Sequence, residues 1–102
     1  MLFRSYILDT TAPATPTAGS LPARVNAAPQ LSASFADADA PDTGTISFQV
    51  CADSACASVV TSGSSAGGVA NGAPGTWTPT GLAAGTYYWR ARATDAAGNV
   101  SA

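Results

Sequence analysis

The chain has 102 residues and a formal net charge of −2, with four arginines, six aspartates and no Lys, Glu or His. This length predicts one domain with a small core. The charge balance excludes a basic patch for nucleic acid or for an anionic membrane. Without Lys, Glu and His, the chain lacks most of the side chains that act as general bases, general acids or Schiff-base lysines. We therefore expect that the protein is not an enzyme.

An apolar segment opens the chain. Residues 2–8 are rich in strand-forming side chains and lead into the Pro-containing stretch DTTAP, a pattern typical of a strand followed by a linker. No apolar run approaches the length of a transmembrane helix, so we expect no membrane partner. We predict a strand and linker over residues 1–12 and a domain over residues 13–102.

The rest of the chain predicts strands and no helix. Apolar and polar residues alternate with period two between clusters of Gly, Pro, Asn and Asp, which is the pattern of an all-β sandwich. SSAGGVANGAPG, residues 64–75, is predicted to be a flexible loop. The predicted strands lie near residues 15–20, 30–36, 45–51, 57–62, 76–78 and 86–94.

The two cysteines flank the turn between two predicted strands. Cys51 and Cys56 lack the further Cys or His ligands that a metal site needs. We therefore predict a disulfide that fixes the register of a hairpin and indicates an oxidising compartment. Because the loop is short, the expected stabilisation is about 2 kcal/mol.

The last predicted strand has two different faces. Its core-facing residues are Tyr87, Trp89, Ala91 and Ala93. Its other face carries Tyr88, Arg90 and Arg92. An aromatic ring beside arginines suits a glycan or an anionic partner, while solubility and cation–π packing explain the same residues and are the interpretation we favour.

GLAAGTYYWRARATDAAGN resembles the second half of a fibronectin type III domain and of the related Ig-like repeats of bacterial surface proteins. LDTTAPATP resembles the linkers between such repeats, and FADADAPDTGTISFQV resembles their second and third strands. The resemblance implies an Ig-like, fibronectin type III-like Greek-key β-sandwich with an extracellular role, and it is more specific for fold than for function. The matching residues are Leu82, Gly85, Thr86, Tyr87, Asp95, Gly98 and Asn99.

The resemblance also implies a seventh strand after GNVSA, and the sequence predicts none there. The strand at 86–94 would then expose a hydrogen-bonding edge, which soluble proteins avoid. In the repeats that the chain resembles, the last strand ends in a DTTAP-like linker, as MLFRSYILDTTAP does. We consider a repeat cut from a longer protein, a strand donated to a neighbouring copy, a strand folded back on its own domain, and a segment with no role.

We favour a strand shared between neighbours. The chain would be a structural subunit or repeat of an extracellular bacterial fibre, filament or adhesin, and its partners would be copies of itself or adjacent repeats. The alternative is an accessory carbohydrate-binding or protein-binding module of a secreted enzyme or adhesin. The proposed donor residues are Phe3, Tyr6, Ile7 and Leu8, and the acceptor residues are Tyr87, Trp89, Ala91 and Ala93.

One turn is rich in carboxylates. Asp37, Asp39 and Asp42 lie within DADAPD, and Ca²⁺ prefers clustered oxygen ligands from loops. Asp9 and Asp95 would contribute at a junction between domains. The alternative is turn chemistry, in which each Asp accepts hydrogen bonds from nearby backbone N–H groups. No cofactor other than calcium is expected.

Overall fold

The computed structural model describes Arg4 and residues 8–19, 21, 24–37 and 43–101. The described part is all-β, as the alternation predicts, and contains no helix. The strands are β1 (Thr17–Ala18), β2 (Leu31–Ser34), β3 (Thr43–Cys51), β4 (Val59–Ser64), β5 (Val69–Ala70), β6 (Pro74–Trp77) and β7 (Tyr88–Asp95).

The strands form two antiparallel sheets. β2 lies between β1 and β6 in the first sheet. In the second sheet β3 pairs with β4, β5 and β7. Gly44 pairs with both Val69 and Asp95, and a strand has only two edges. β4 and β5 therefore share one edge of β3, and β7 occupies the other.

Alternate residues of β2 and β3 fill the space between the sheets. Every second residue of each strand is buried and its neighbours are half-exposed, except at the end of β3, where Val50 and Cys51 are both buried. Each large apolar side chain removed from water stabilises the fold by about 1.5–3 kcal/mol. The buried core comprises Leu31, Ala33, Phe35, Ile46, Phe48, Val50 and Ala93.

Trp77 closes one side of the sandwich. Its ring stacks on Phe48 at a centroid distance of 6.2 Å and lies against Gly63 of β4, where a Cβ atom would overlap Cε2 and Nε1 of the indole. A glycine is therefore required on β4 for β6 to approach it. Trp77 is half-buried and packs against the core.

The hairpin between β3 and β4 carries the predicted disulfide, Cys51–Cys56, with Cα atoms 5.1 Å apart. Inside this loop the carboxylate of Asp53 accepts hydrogen bonds from the N–H groups of Ser58 (2.9 Å) and Ala57 (3.1 Å). These two bonds hold the pKa of Asp53 below its usual value. The disulfide and the hydrogen bonds to the Asp53 carboxylate thus both constrain this loop.

The loop predicted to be flexible, residues 64–75, is instead ordered by pairing. β5 within it pairs with Thr43 and Gly44. Asn71 then exchanges two hydrogen bonds with the backbone of Asp37, one from its side-chain amide at 2.6 Å and one to its Oδ1 at 3.1 Å. The prediction was wrong because β3 begins two residues earlier than expected and offers an edge to this segment.

Candidate functional site: the open edge of β7

Within the described residues, the edge of β7 opposite β3 is paired at one end only. Ser101 N–H donates to the carbonyl of Ala93 (2.8 Å), and Ala93 N–H donates to Oγ of Ser101 (2.8 Å). Val100 forms a bridge to Thr94. The turn after Asp95 therefore brings the chain back alongside the last part of β7 at these positions, where it forms an isolated bridge and not a seventh strand.

From Tyr88 to Arg92, no described residue pairs with this edge. Successive residues of a strand direct their backbone groups to opposite edges. The N–H and C=O of Ala93 face Ser101, so those of Trp89 and Ala91 face the same way. This open edge thus presents backbone donors and acceptors that have no partner in the described part of the chain and that an added strand would satisfy.

An apolar groove of about 540 Å³ lies beside this edge. It opens between the start of β7 and the segment that connects β1 to β2. Leu21 and Val25, which lie in that segment, are 37% and 52% exposed. Other apolar residues that line the groove are Leu31, Val50, Leu82, Tyr87 and Trp89.

Tyr87 fixes the corner that leads into β7. Its Oη donates to the carbonyl of Ala83 at 2.7 Å, and its ring packs beside Gly85. Tyr87 also packs against the core, together with Trp89 and Ala91. The predicted acceptor residues therefore lie on the core side of the strand, half-buried at Tyr87, Trp89 and Ala91 and fully buried at Ala93.

Three of the predicted donor residues, Phe3, Tyr6 and Ile7, lie outside the described residues. Leu8 is described; it is 78% exposed and belongs to no strand. Just after it, the carbonyl of Asp9 accepts a hydrogen bond of 2.9 Å from Nδ2 of Asn99. The linker is thereby attached at the end of β7 that carries Asp95.

The carboxylates of Asp9, Asp37 and Asp95 meet at this end, with one oxygen of each within 4.8 Å of the others. Asp37 was predicted as a calcium ligand, whereas Asp39 and Asp42 lie outside the described residues. Three carboxylates of this kind suit a hard cation. Calcium binding stays a prediction, and Asp9 and Asp95 are the partners that the fold brings to Asp37.

The hydrogen bonds of Asp95 also fit turn chemistry. Its Oδ1 accepts the N–H groups of Asn99 (2.8 Å) and Ala97 (3.0 Å), and its Oδ2 accepts Nδ2 of Asn99 (3.0 Å). Burial raises the pKa of Asp95, but the hydrogen bonds donated by the side chain and backbone of Asn99 and by the backbone of Ala97 outweigh burial and leave the pKa below its usual value.

The outward face of β7 carries Tyr88, Arg90 and Arg92, all of them exposed. The guanidinium of Arg90 donates through Nε to Oε1 of Gln49 at 2.7 Å. Within the described residues neither arginine forms an ion pair or stacks on an aromatic ring. The cation–π packing that was predicted together with solubility is therefore not seen among the described residues.

Sequence reasoning missed the far wall of the groove. Leu21 and Val25 lie in a segment without period-two alternation, so no pattern marks them as partners of β7. Asp53 was also missed as a cap, although an Asp followed by a tight turn is a signal for such capping. The meeting of Asp9, Asp37 and Asp95 depends on contacts between residues far apart in the chain.

Comparisons of the chain with protein-family models, with curated proteins and with solved structures gave no significant match. Among the described residues there is no helix long and apolar enough to cross a membrane.

Proposed function

We propose that the chain is a structural module of an extracellular bacterial fibre, filament or adhesin, joined head to tail by strand donation. The apolar segment at residues 2–8 of one copy, or the equivalent strand of an adjacent repeat, pairs with the open edge of β7 in the next. The observation that carries this proposal is the open edge from Tyr88 to Arg92 beside an apolar groove. The role is mechanical and not catalytic.

The edge of β7 and its groove are complementary to an added apolar strand, which supports this pairing. A strand added antiparallel to β7 takes up the free backbone groups of Trp89 and Ala91. Every second side chain of that strand then points into the groove lined by Leu31, Leu82 and Tyr87. The segment LFRSYIL has the length and apolar character that such an edge requires.

The position of the linker supports donation between molecules over folding back as an antiparallel strand. A strand antiparallel to β7 must end near Tyr88, and β7 is eight residues long. At about 3.3 Å per residue, that end lies roughly 23 Å from Asp95. Asp9, however, is bonded to Asn99 beside Asp95. The residue before Asp9 therefore cannot also reach the far end of its own β7.

The strand order supports an Ig-like, fibronectin type III-like Greek key. We infer that β1, β2 and β6 correspond to strands A, B and E of that fold, and that β3 and β7 correspond to C and F. The bond from Tyr87 to the carbonyl of Ala83 is the kind of tyrosine corner that this class of domain uses at the start of strand F. The donated strand would take the place of strand G.

The disulfide supports a location outside the cytoplasm. Cys51 and Cys56 are paired, and such bonds persist in oxidising compartments such as the bacterial periplasm and the cell exterior. The disulfide supports an oxidising compartment, and the role in an extracellular fibre or adhesin is proposed in addition.

Two complementary variants test the proposal. Deletion of residues 1–8 removes the donor and leaves the acceptor. Ala91→Pro removes the N–H that faces the open edge and leaves the pairing with β3 intact, because proline is tolerated where the N–H points away from the ladder. We expect wild-type protein to assemble with rising concentration and each variant alone to be monomeric in light scattering.

Mixing the two variants gives the sharpest result. One copy of Ala91→Pro has only a donor and one copy of the deletion variant has only an acceptor, so we expect a one-to-one heterodimer that grows no further. Ala91→Ser, which keeps the N–H, is the matched control and should assemble as wild type does. Wild-type protein that stays monomeric would show that residues 2–8 are not the donor strand, and Ala91→Pro that assembles alone would show that the edge of β7 is not the acceptor.

A further inference from the structure

The outer face of the second sheet carries an ordered polar surface with two arginines that form no ion pair with another described residue. The register places Gln49 between Ser62 and Arg90 in one row across three strands, and Ser47 between Ser64 and Arg92 in the next. These residues line a depression of about 490 Å³. We call this surface the arginine face; it comprises Ser47, Gln49, Ser62, Ser64, Arg90 and Arg92.

We propose that the arginine face binds an acidic polysaccharide. This function goes beyond the proposed assembly, because the face is perpendicular to the edge that accepts a strand. Arg90 and Arg92 stand two residues apart on one strand, so their Cα atoms are about 7 Å apart. Both point out of the same face, which allows them to engage successive anionic groups of one extended chain.

The charges favour an anionic ligand. The chain as a whole is acidic, with a net charge of −2, yet the described carboxylates lie away from this face. Asp9, Asp37 and Asp95 are at one end of the sheet, and Asp53 is in the loop after β3. A guanidinium offers a planar fork of donors that matches a carboxylate or a sulfate.

The uncharged polar residues of the arginine face favour a polysaccharide as the molecule that bears the anionic groups. Hydroxyls of Ser47, Ser62 and Ser64 both donate and accept hydrogen bonds, as the hydroxyls of a sugar do. Gln49 fixes the guanidinium of Arg90 at 2.7 Å, so part of the ordering cost of that side chain is met before binding. The exposed ring of Tyr88, 43% accessible, continues the face on β7.

Affinity electrophoresis tests the proposal with the full chain. Gels contain polygalacturonate for carboxylates, dextran sulfate for sulfates, or neutral dextran as a blank. We expect retardation by at least one acidic polymer and none by dextran. Arg90→Gln and Arg92→Gln should each weaken binding about tenfold or more, as the loss of a charge-assisted hydrogen bond implies.

Arg24→Gln is the matched control. It makes the same change of net charge at an exposed position outside the arginine face, so it should bind as wild type does. All of these side chains are exposed, and equal melting temperatures will verify that each variant is folded. An equal loss in Arg24→Gln, wild-type protein that no acidic polymer retards, or equal retardation by a single-stranded oligonucleotide would each overturn the proposal.

Discussion

The indole of Trp77 lies over the Cα atom of Gly63, in the space that any other side chain at that position would occupy. This contact joins β6 of one sheet to β4 of the other. We predict that Gly63→Ala lowers the free energy of unfolding by about 1–3 kcal/mol, because the ring is also stacked on Phe48 and must shift.

Urea denaturation followed by tryptophan fluorescence measures this change. Gly67→Ala is the matched control, since a Cβ atom there would meet only Oγ1 of Thr45 at 3.9 Å. Equal stability of the two variants would contradict the role given to Gly63.

Tyr87→Phe removes the hydrogen bond to the carbonyl of Ala83 and leaves the packing of the ring. We predict a loss of about 1 kcal/mol in the free energy of unfolding. Tyr88→Phe is the control, because Tyr88 is exposed and its hydroxyl has no partner within the described residues. Thermal or urea unfolding that gives the same value for both variants would mean that the corner does not depend on this bond.

Reduction of the Cys51–Cys56 bond should lower the free energy of unfolding by about 2 kcal/mol, because the bond spans five residues and constrains only a short loop of the unfolded chain. Unfolding in urea is measured with and without a phosphine reductant. A Cys51→Ala, Cys56→Ala variant should be insensitive to the reductant. A native protein that is equally stable in both conditions would contradict the prediction.

Acid should destabilise the protein over the pH range in which Asp53 and Asp95 become protonated. Both carboxyls have a folded-state pKa below the unfolded value of 3.8. Their contribution to stability is therefore present above that value and is lost as the pH falls through the folded-state pKa. Urea midpoints measured from pH 7 to pH 2 should drop below about pH 4.

Asp95→Asn tests the assignment of this effect. The substituted amide cannot accept from both Asn99 and the backbone as the carboxylate does, so the variant should be less stable at pH 7 and should lose less stability on acidification. A pH profile parallel to that of the wild type would mean that Asp95 does not contribute.

Calcium, if it binds at Asp9, Asp37 and Asp95, should raise the melting temperature, since a ligand of the folded state stabilises it. Isothermal titration should show heat for wild-type protein and none for Asp37→Asn. Asp53→Asn removes a carboxylate outside the cluster and should titrate as wild type does. Absence of heat in wild-type protein would remove the calcium prediction.

The fold could be predicted from sequence where side chains alternate. β3 and β7 are long enough for period two to identify their buried and exposed faces, and the turn between the cysteines identifies a hairpin. β5 has two residues and no alternation, so it is defined only by the edge that β3 offers. The groove shows the same difference. The alternation of β7 predicts that Trp89 faces it, whereas no sequence pattern predicts that Leu21 and Val25 line it.

The hydrogen bond from Nδ2 of Asn99 to the carbonyl of Asp9 joins residues that lie 90 positions apart in the sequence. The same amide group also donates to Oδ2 of Asp95. One side chain thus couples the linker before β1 to the turn after β7, and loss of the Asn99 amide should loosen both segments together.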